Sequence, residues 1–595
     1  MTTIEEVKTS YNHTIEEGDR NLSKVKRQIF HIGTIRLLIV LAAGFTCYWL
    51  WPDFSMIGLS IIAALVIYLV FAKYHARLFA RKQYIEQLIQ DARNELSALG
   101  YDFSPFDGAK ECTDAGHSFS LDLDIFGERS FFQSINRTVT AFGKKGLVDM
   151  LLHPLQDKNR ITGRQEAIAE LSRKQEFIRH FRATGQVGDA QDFDYNALTK
   201  NIQAAKSGWW KIVPVFFLLL AVAVFALSFL NVIPAGVFPV YWFVMIIASI
   251  LLARNIRHKL DFLDKRYEVI RTYSTLLKIM ESEQFDSPLL KQIQEKIVTP
   301  QSASLAFAQL KKLGNNMDIA ETAVGAMLLN PFLGWNVYYS NKILGWIVRH
   351  QQYIKTWFEA VGELDSLLSL AMFAYNHPDY VYPEVSDKRE IVGKDLGHPM
   401  MNREKCVHND ICEPKFPYFM VVTGANMAGK STYLRTVGVN LVLAGMGAPV
   451  CASSFRFYPF VLVTNLRTSD SLNDNESYFF AELKRLKMII DRLEAGEELF
   501  IILDEILKGT NSEDKQRGSI ALMKQLVSLG GNGIIATHDL ELGNLEQEFP
   551  DAVKNYRFEA DIEGDTLSFS YKLKEGVAQN MNACFLMKKM GITGL

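Results

Sequence analysis

Two stretches of the chain are apolar over lengths of 35 residues or more, the first interrupted only by Asp53. Leu37 to Pro52 carries no charge, and after Asp53 neither does Phe54 to Ala72; Ile212 to Ala253 is charge-free over 42 residues. A membrane-crossing helix takes about 20 apolar residues, so each stretch predicts a helical hairpin, at about 36–72 and about 209–253. Trp51-Pro52-Asp53 supplies the turn of the first, and Asn231 to Pro239, with Pro234 and Gly236, that of the second. Lys24, Lys26, Arg27 and Arg36 precede the first hairpin, and Lys73, Arg77, Arg81 and Lys82 follow it. Lys206 and Lys211 precede the second, and Arg254, Arg257 and Lys259 follow it, while the turns hold no Lys or Arg. Cytoplasmic loops collect such cations. The expectation is a multi-pass protein of the inner, cytoplasmic membrane, with both termini and the large segments on the cytoplasmic side. Trp49, Trp51, Trp209, Trp210 and Trp242 sit where interfacial aromatics anchor. The competing explanation is a set of helices buried in a large soluble core. A cleaved leader is not expected, because the first run starts well inside the chain and a second span follows it directly.

Elsewhere the pattern is that of a globular protein. Ala76 to Leu99 is basic and helical in texture and stops at Gly100 and Pro105. Residues 119–206 and 254–376 are mainly helical; Leu260, Leu263, Tyr267 and Ile270 illustrate the spacing of three and four. His377-Pro378-Asp379 and Pro383 close that block. From about residue 390 short β-type runs alternate with helices, as in an α/β nucleotide-binding domain. The fold class predicted is multidomain: transmembrane helical hairpins, an α-helical core or lever domain, and a C-terminal α/β P-loop ATPase of ABC-like type. The domains are 1–118 with the first hairpin, 119–384 with the second inserted, and 385–595.

Composition narrows the chemistry. With 595 residues, 48% of them hydrophobic, the chain has apolar surface for several cores, which excludes disorder. Lys and Arg total 64 against 66 Asp and Glu, so no global cationic field argues for nucleic acid. The six cysteines are scattered, and Cys406 and Cys412 lack the second pair a zinc site needs.

The motifs lie in the C-terminal third. Phe419 to Thr423 is an apolar strand leading into Gly424-Ala425-Asn426-Met427-Ala428-Gly429-Lys430-Ser431 and then a helix from Thr432. This is the G-x-x-x-x-G-K-[ST] phosphate loop in its strand–loop–helix setting. Its glycines let backbone amides face the phosphates and the helix N-terminus adds a positive dipole end. Lys430 is expected to reach the β/γ-phosphates of ATP and Ser431 to ligate Mg²⁺. A second apolar strand, Leu499 to Leu503, ends in Asp504-Glu505. Asp504 is expected to hold Mg²⁺ and Glu505 to activate water. A third, Gly533 to Thr537, ends in His538, a candidate sensor of the γ-phosphate.

Together these residues resemble the MutS family of dimeric DNA-repair ATPases. Thr423 to Arg435 is similar to that family's P-loop, including the Asn426-Met427 pair; Leu503 to Asp514 is similar to its acidic strand and Gly-Thr loop, and Ala536 to Leu542 to its histidine loop. Ser469 to Glu482 resembles the segment whose serine, here Ser477, caps the γ-phosphate of the partner subunit, and Asn409-Asp410 resembles the adenine-side loop. Ile135 to Gly143, with Pro154 and Ile161 to Gln165, looks like the start of the family's helical core, and Leu364 to Ala374 like its end. The likeness covers roughly 119–206 and 320–595. It implies ATP and Mg²⁺ as cofactors, a homodimer, and duplex DNA as a partner; the hairpins add membrane lipid.

The departures are as informative. No Phe-x-Glu mismatch-reading module precedes the core, and the second hairpin occupies the place of the family's DNA clamp. Cys406 stands where the family has an adenine-stacking aromatic, and Leu507 and Asn475 replace residues the family keeps small. The expected function is therefore a membrane-anchored, MutS-like ATPase that couples ATP binding and hydrolysis in a dimer to its helical levers. The alternatives are a tethered DNA-binding repair or recombination protein, a structural membrane protein with a vestigial nucleotide site, and an ABC-type transporter. Intact Lys430, Ser431, Asp504 and Glu505 disfavour the second alternative; hairpins without internal charge disfavour the third.

Overall fold

A computed structural model of the chain describes residues 3–188, 208–234, 236–264, 267–425, 427–467, 478–507, 510–563 and 566–579. Helices α1 (Ile4–Trp49) and α2 (Phe54–Leu99) form an antiparallel hairpin, each with 46 residues. At 1.5 Å per residue each is about 69 Å long, more than twice the roughly 30 Å of a bilayer core. The basic stretch 76–99 is thus no separate element but the continuation of α2. Asp53 starts α2 by accepting from the backbone N–H groups of Ser55 and Met56. Around this turn the apolar side chains face outward: Leu38, Leu41, Phe45, Trp49, Leu59, Ile62 and Leu65 are exposed.

The foot of the hairpin is the opposite, packed and polar-bonded into the helical core. Val7, Tyr11, Ala92 and Leu99 are buried in the same apolar cluster as Ile135 and Phe373. The Tyr11 hydroxyl donates to Asn376 Oδ1 at 2.7 Å. Glu95 accepts from Arg137 Nε and Arg182 Nη1, both at 2.8 Å, and from Asn376 Nδ2 at 2.9 Å. Burial pushes the Glu95 carboxyl up, but the two guanidinium charges outweigh it and hold it below its usual range.

The core itself is built from α3 (Phe131–Ile135), α4 (Ala141–Leu152), α5 (Lys158–Arg173), α6 (Gln175–Val187) and the later helices that return to them. The inserted apolar pair is α7 (Val213–Phe229) and α8 (Val237–Asp264). It is followed by α9 (Tyr267–Ser282), α10 (Pro288–Val298), α11 (Ala303–Glu321), α12 (Ala323–Leu333) and the 42-residue α13 (Trp335–Asn376). By length and composition α1, α2 and α8 can each cross a membrane, and α7 is a shorter apolar helix. One partner of the second hairpin was not apparent in the sequence. The apolar helix α12 packs on both α7 and α8, where Tyr241 Oη donates to the carbonyls of Phe217 and Pro331 and Trp242 Nε1 to that of Met327.

The C-terminal region holds two sheets. The smaller has the order β1 (Glu384–Val385), β5 (Ser454–Phe457), β2 (Ile391–Leu396), β3 (Asn409–Glu413). The larger runs β10 (Thr566–Glu575), β9 (Val553–Glu563), β4 (Tyr418–Gly424), β8 (Asn532–Thr537), β7 (Leu499–Asp504), β6 (Val461–Asn465). All its neighbours pair in parallel except β10 with β9. Helices α14 (Lys430–Gly445), α15 (Tyr478–Glu494) and α16 (Ser512–Ser528) complete the α/β unit.

The helical core and this unit share one apolar interior, which includes Leu123, Leu434, Val437 and Phe500. Polar contacts cross the same boundary. Thr464 Oγ1 donates to Asp122 Oδ2 at 2.6 Å, and Asp124 takes Arg467 at 2.6 Å and Arg435, from α14, at 2.9 Å.

Candidate functional site

Register brings the site together. Thr423 of β4 pairs with Thr537 of β8, and Asp504 of β7 pairs with Ala536. The three strands therefore end side by side, and their C-terminal continuations converge: the 424–431 loop, Asp504-Glu505 and His538. The carboxyl edge of a parallel sheet is where such folds bind ligands.

The loop is shaped by backbone that a side chain would oppose. Gly424 has φ +153° and a Cβ there would stand 2.5 Å from the Phe558 carbonyl oxygen; Gly429, at φ +107°, starts α14. Lys430 opens that helix and is buried, yet its ammonium donates to the carbonyls of Gly424 at 2.6 Å and Ala425 at 3.0 Å. It also lies 3.3 Å from His538 Nε2. Burial pulls the Lys430 amine down to about 8, against the opposing pull of Asp504 and Glu505. Such an ammonium is poised to exchange loop carbonyls for an anion.

Ser431 Oγ donates to Asp504 Oδ2 at 2.5 Å. A hydroxyl and a carboxylate in contact are the small oxygen donor set that Mg²⁺ accepts alongside phosphate oxygens and water. Among the described residues no group of three or more His, Cys, Asp or Glu could hold a metal by itself. Glu505 is held at φ +53° with its N–H on the Ala536 carbonyl, and His538 Nε2 lies 2.5 Å from its Oε1. Leu507, also at positive φ, donates its N–H to Glu482 Oε1 at 2.7 Å. The side chain that the family keeps small is thus folded into a buried turn tied to α15.

Beside the loop is a cavity of about 540 Å³, of the size that takes a small organic ligand. It is lined by Ala425, Met427, Gly429, Lys430, Ser431 and Thr432 of the loop and helix start, and by Leu396, Cys406, Val407 and Asn409. Ala428, within the loop, is buried. Asn409 lines the cavity, but its amide is bonded to β10: Nδ2 donates to the Tyr571 carbonyl at 3.0 Å, and Oδ1 accepts from Leu573 N–H at 2.8 Å. The residue so positioned, Tyr571, is a cavity aromatic that sequence reasoning missed. It sits at φ +52° in a β-bulge, stacked on Phe569, and its ring meets Gly429. Tyr571 and the buried Tyr433 are the aromatic side chains that line the cavity, together with Cys406. Asn426 and Ser477, both expected here, lie outside the described residues, as do Ser469 and Asn475.

Comparison with known proteins agrees with this geometry. The family model of MutS domain III matches residues 119–371, and that of MutS domain V matches 420–591. The chain is 32% identical over 252 residues to MutS protein homolog 4 of Homo sapiens, covering 40% of this chain and 26% of that protein. It is 32% identical over 251 residues to DNA mismatch repair protein MutS of Thermotoga sp. (strain RQ2), covering 41% and 31%. Against the protein of the same name from Aquifex pyrophilus the values are 34% over 237 residues, 39% and 27%. The chain thus spans less than a third of the length of these relatives. A helical core matching one domain model, followed by an α/β sheet unit matching another of the same set, places the chain in the MutS family.

Proposed function

We propose that this protein is a membrane-anchored ATPase of MutS type that works as a homodimer. The observation that carries the reading is the convergence of Lys430, Ser431, Asp504, Glu505 and His538 at one sheet edge, beside a cavity with an aromatic wall. In this reading the 424–432 backbone cradles the phosphates and Lys430 gives up its carbonyl partners to neutralise them. Ser431 and Asp504 hold Mg²⁺, which offsets phosphate charge when bound. Glu505 takes the proton of the attacking water, and His538 orients the Glu505 carboxylate. The adenine lies against Tyr571, which Asn409 holds in place. Ser477 of the partner subunit completes the γ-phosphate cage.

Contacts between the helical core and the α/β unit support the reading that the cycle is coupled to the levers. Arg435 lies on the helix that Lys430 opens and is bonded to Asp124, which also holds Arg467. Displacement of α14 on nucleotide binding would be felt in the core and, through Glu95 and Arg137, at the foot of the α1–α2 hairpin. The exposed apolar faces of α1, α2, α7 and α8 support the bilayer as their solvent, and the Lys and Arg that flank the hairpins support a cytoplasmic ATPase unit. The test is MgATP hydrolysis by the full chain in detergent or nanodiscs. Lys430→Ala should lose nucleotide binding and turnover together; a wild-type rate in that variant would refute the site.

A second reading, tethered DNA repair, is favoured by relatives named DNA mismatch repair protein. Against it, the densest cation clusters flank the apolar hairpins, where anionic headgroups already give them a use, and the formal net charge is -2. Fluorescence anisotropy with paired and mismatched duplexes should show weak, equal binding. A mismatch preference of about tenfold or more, about 1.4 kcal/mol, would favour repair.

A further inference from the structure

A second cavity, of about 610 Å³, lies far from the ATP site, where the chain enters the α7–α8 hairpin. One wall is the face of α11 that carries Gln309, Lys312 and Asn316. The other is the face of α13 that carries Lys342, Gly345 and Arg349, and Trp210 and Lys211 close one end. These intervals of three and four residues put each set on one helix face. Four cations, Lys211, Lys312, Lys342 and Arg349, border the cavity, and among the described lining residues there is no carboxylate. Aromatic faces shield two of them: Lys342 Nζ is 4.4 Å from the Tyr338 ring centroid and Lys211 Nζ is 5.7 Å from that of Trp210. Like charges gathered around a concavity repel one another unless an anion joins them.

The location identifies the anion. Lys211 is two residues before α7, and the next outward side chains, Ile212, Val215 and Phe216, are all exposed and apolar. Gly334, at the start of α13, is so close to Val213 that a Cβ would come within 2.5 Å of it. The mouth of the cavity therefore stands at the boundary between apolar and polar surface, with an interfacial tryptophan on its rim. A ligand there meets cations with its head and hydrocarbon-compatible surface with its tail. Basic pockets beside membrane helices on the cytoplasmic side bind anionic headgroups in this way.

We propose that this cavity binds the phosphate headgroup of an anionic phospholipid, tying the α11–α13 face of the helical core to the bilayer. The proposal rests on the membrane reading above, and it names a site separate from the ATP cavity. A lipid seated between α11 and α13 would sense any relative movement of the two helices during the ATP cycle.

The test uses the full chain in nanodiscs of phosphatidylcholine with or without brominated phosphatidylglycerol. The readouts are quenching of tryptophan fluorescence and native mass spectrometry of retained lipid. Wild type should be quenched and should retain phosphatidylglycerol over phosphatidylcholine by about tenfold or more. The triple variant Lys312→Gln, Lys342→Gln, Arg349→Gln should lose that preference while still entering nanodiscs. Gly345→Phe, which fills open space without changing charge, should do the same. Lys355→Gln, a charge removed elsewhere on α13, should leave it intact. Insertion with equal retention of both lipids, or an unchanged preference in the triple variant and in Gly345→Phe, overturns the lipid site alone. Failure of the wild type to insert overturns the membrane reading with it. Displacement of the lipid by millimolar inorganic phosphate, or by a short duplex DNA, would show a soluble-anion or nucleic-acid site and overturn the assignment to lipid.

Discussion

Glu505 and His538 are bonded to each other, Oε1 to Nε2 at 2.5 Å, with the same imidazole 3.3 Å from the Lys430 ammonium. The left-handed backbone of Glu505 and its N–H bond to Ala536 hold the carboxylate at the end of β8, where His538 begins the next loop. The histidine thus controls where the proposed base points. His538→Ala should lower kcat by about 10²-fold, the usual scale for a misplaced general base. ATP affinity should stay within about threefold, since Lys430 and the loop amides carry the binding. Stopped-flow nucleotide binding beside steady-state turnover separates the two; an unchanged kcat would make the contact incidental.

The depressed Lys430 amine makes nucleotide binding depend on pH. Its value near 8 means that the free site is charged below that pH and increasingly neutral above it. A bound polyphosphate favours the charged form, so affinity is constant below about 8 and declines as pH rises, by at most about tenfold per unit. Titration with a fluorescent ATP analogue from pH 7 to 9.5 reads this slope. A flat profile would show that Lys430 does not meet the phosphates.

Asp365 offers a stability test away from the site. It is fully buried and accepts from the N–H groups of Val139 and Thr140 at 3.0 and 2.8 Å and from Thr140 Oγ1 at 2.7 Å. Burial raises its carboxyl to about 7, with the three donors pulling the other way. The folded chain therefore holds this proton more tightly than the unfolded one, whose Asp titrates near about 3.9. Its stabilising contribution is complete below about pH 4 and is lost as pH rises through about 7. Asp365→Asn should flatten the decline in melting temperature between about pH 4 and 7. An identical pH profile in the variant would contradict the assignment.

The shared-site arrangement is checked by mixing. A heterodimer of Lys430→Ala and Ser477→Ala chains has one site with both defects and one with neither, so it should keep about half the wild-type activity while each homodimer loses most of it. Full activity in a strictly monomeric preparation would exclude a site built from two subunits.

Much of this was legible because each strand that positions the site is a buried apolar run ending abruptly in polar residues. Phe419–Thr423, Leu499–Leu503 and Gly533–Thr537 could be placed and typed from the pattern, and spacing alone linked Lys430 to Asp504. The two ends of the helical core, recognised separately at Ile135–Gly143 and Leu364–Ala374, meet through Asp365, and a Cβ on Gly143 would collide with that carboxylate. Tyr571 was invisible because its place depends on a bulge in a distant hairpin, and no local pattern marks a lone aromatic as facing a cavity. Helix α12 was missed for a different reason. Its 11 residues are too few for a span and continue the helical periodicity around them, so only packing on α7 and α8 reveals its apolar partners. The full length of α2 was half visible: the basic 76–99 stretch read as helical, but its continuity with the apolar segment did not.

The central claim is that the Lys430–Asp504–Glu505 cluster binds ATP and hydrolyses it. The most direct measurement is single-turnover hydrolysis of MgATP by full-length Glu505→Gln beside wild type, with bound nucleotide quantified in the same samples. An amide keeps the size of the side chain and its bond to His538 but cannot take a proton. ATP should be bound at near wild-type affinity and its hydrolysis slowed by about 10²-fold or more. Hydrolysis at the wild-type rate would show that Glu505 is not the base, and absence of nucleotide binding in the wild type itself would contradict the central claim at its root.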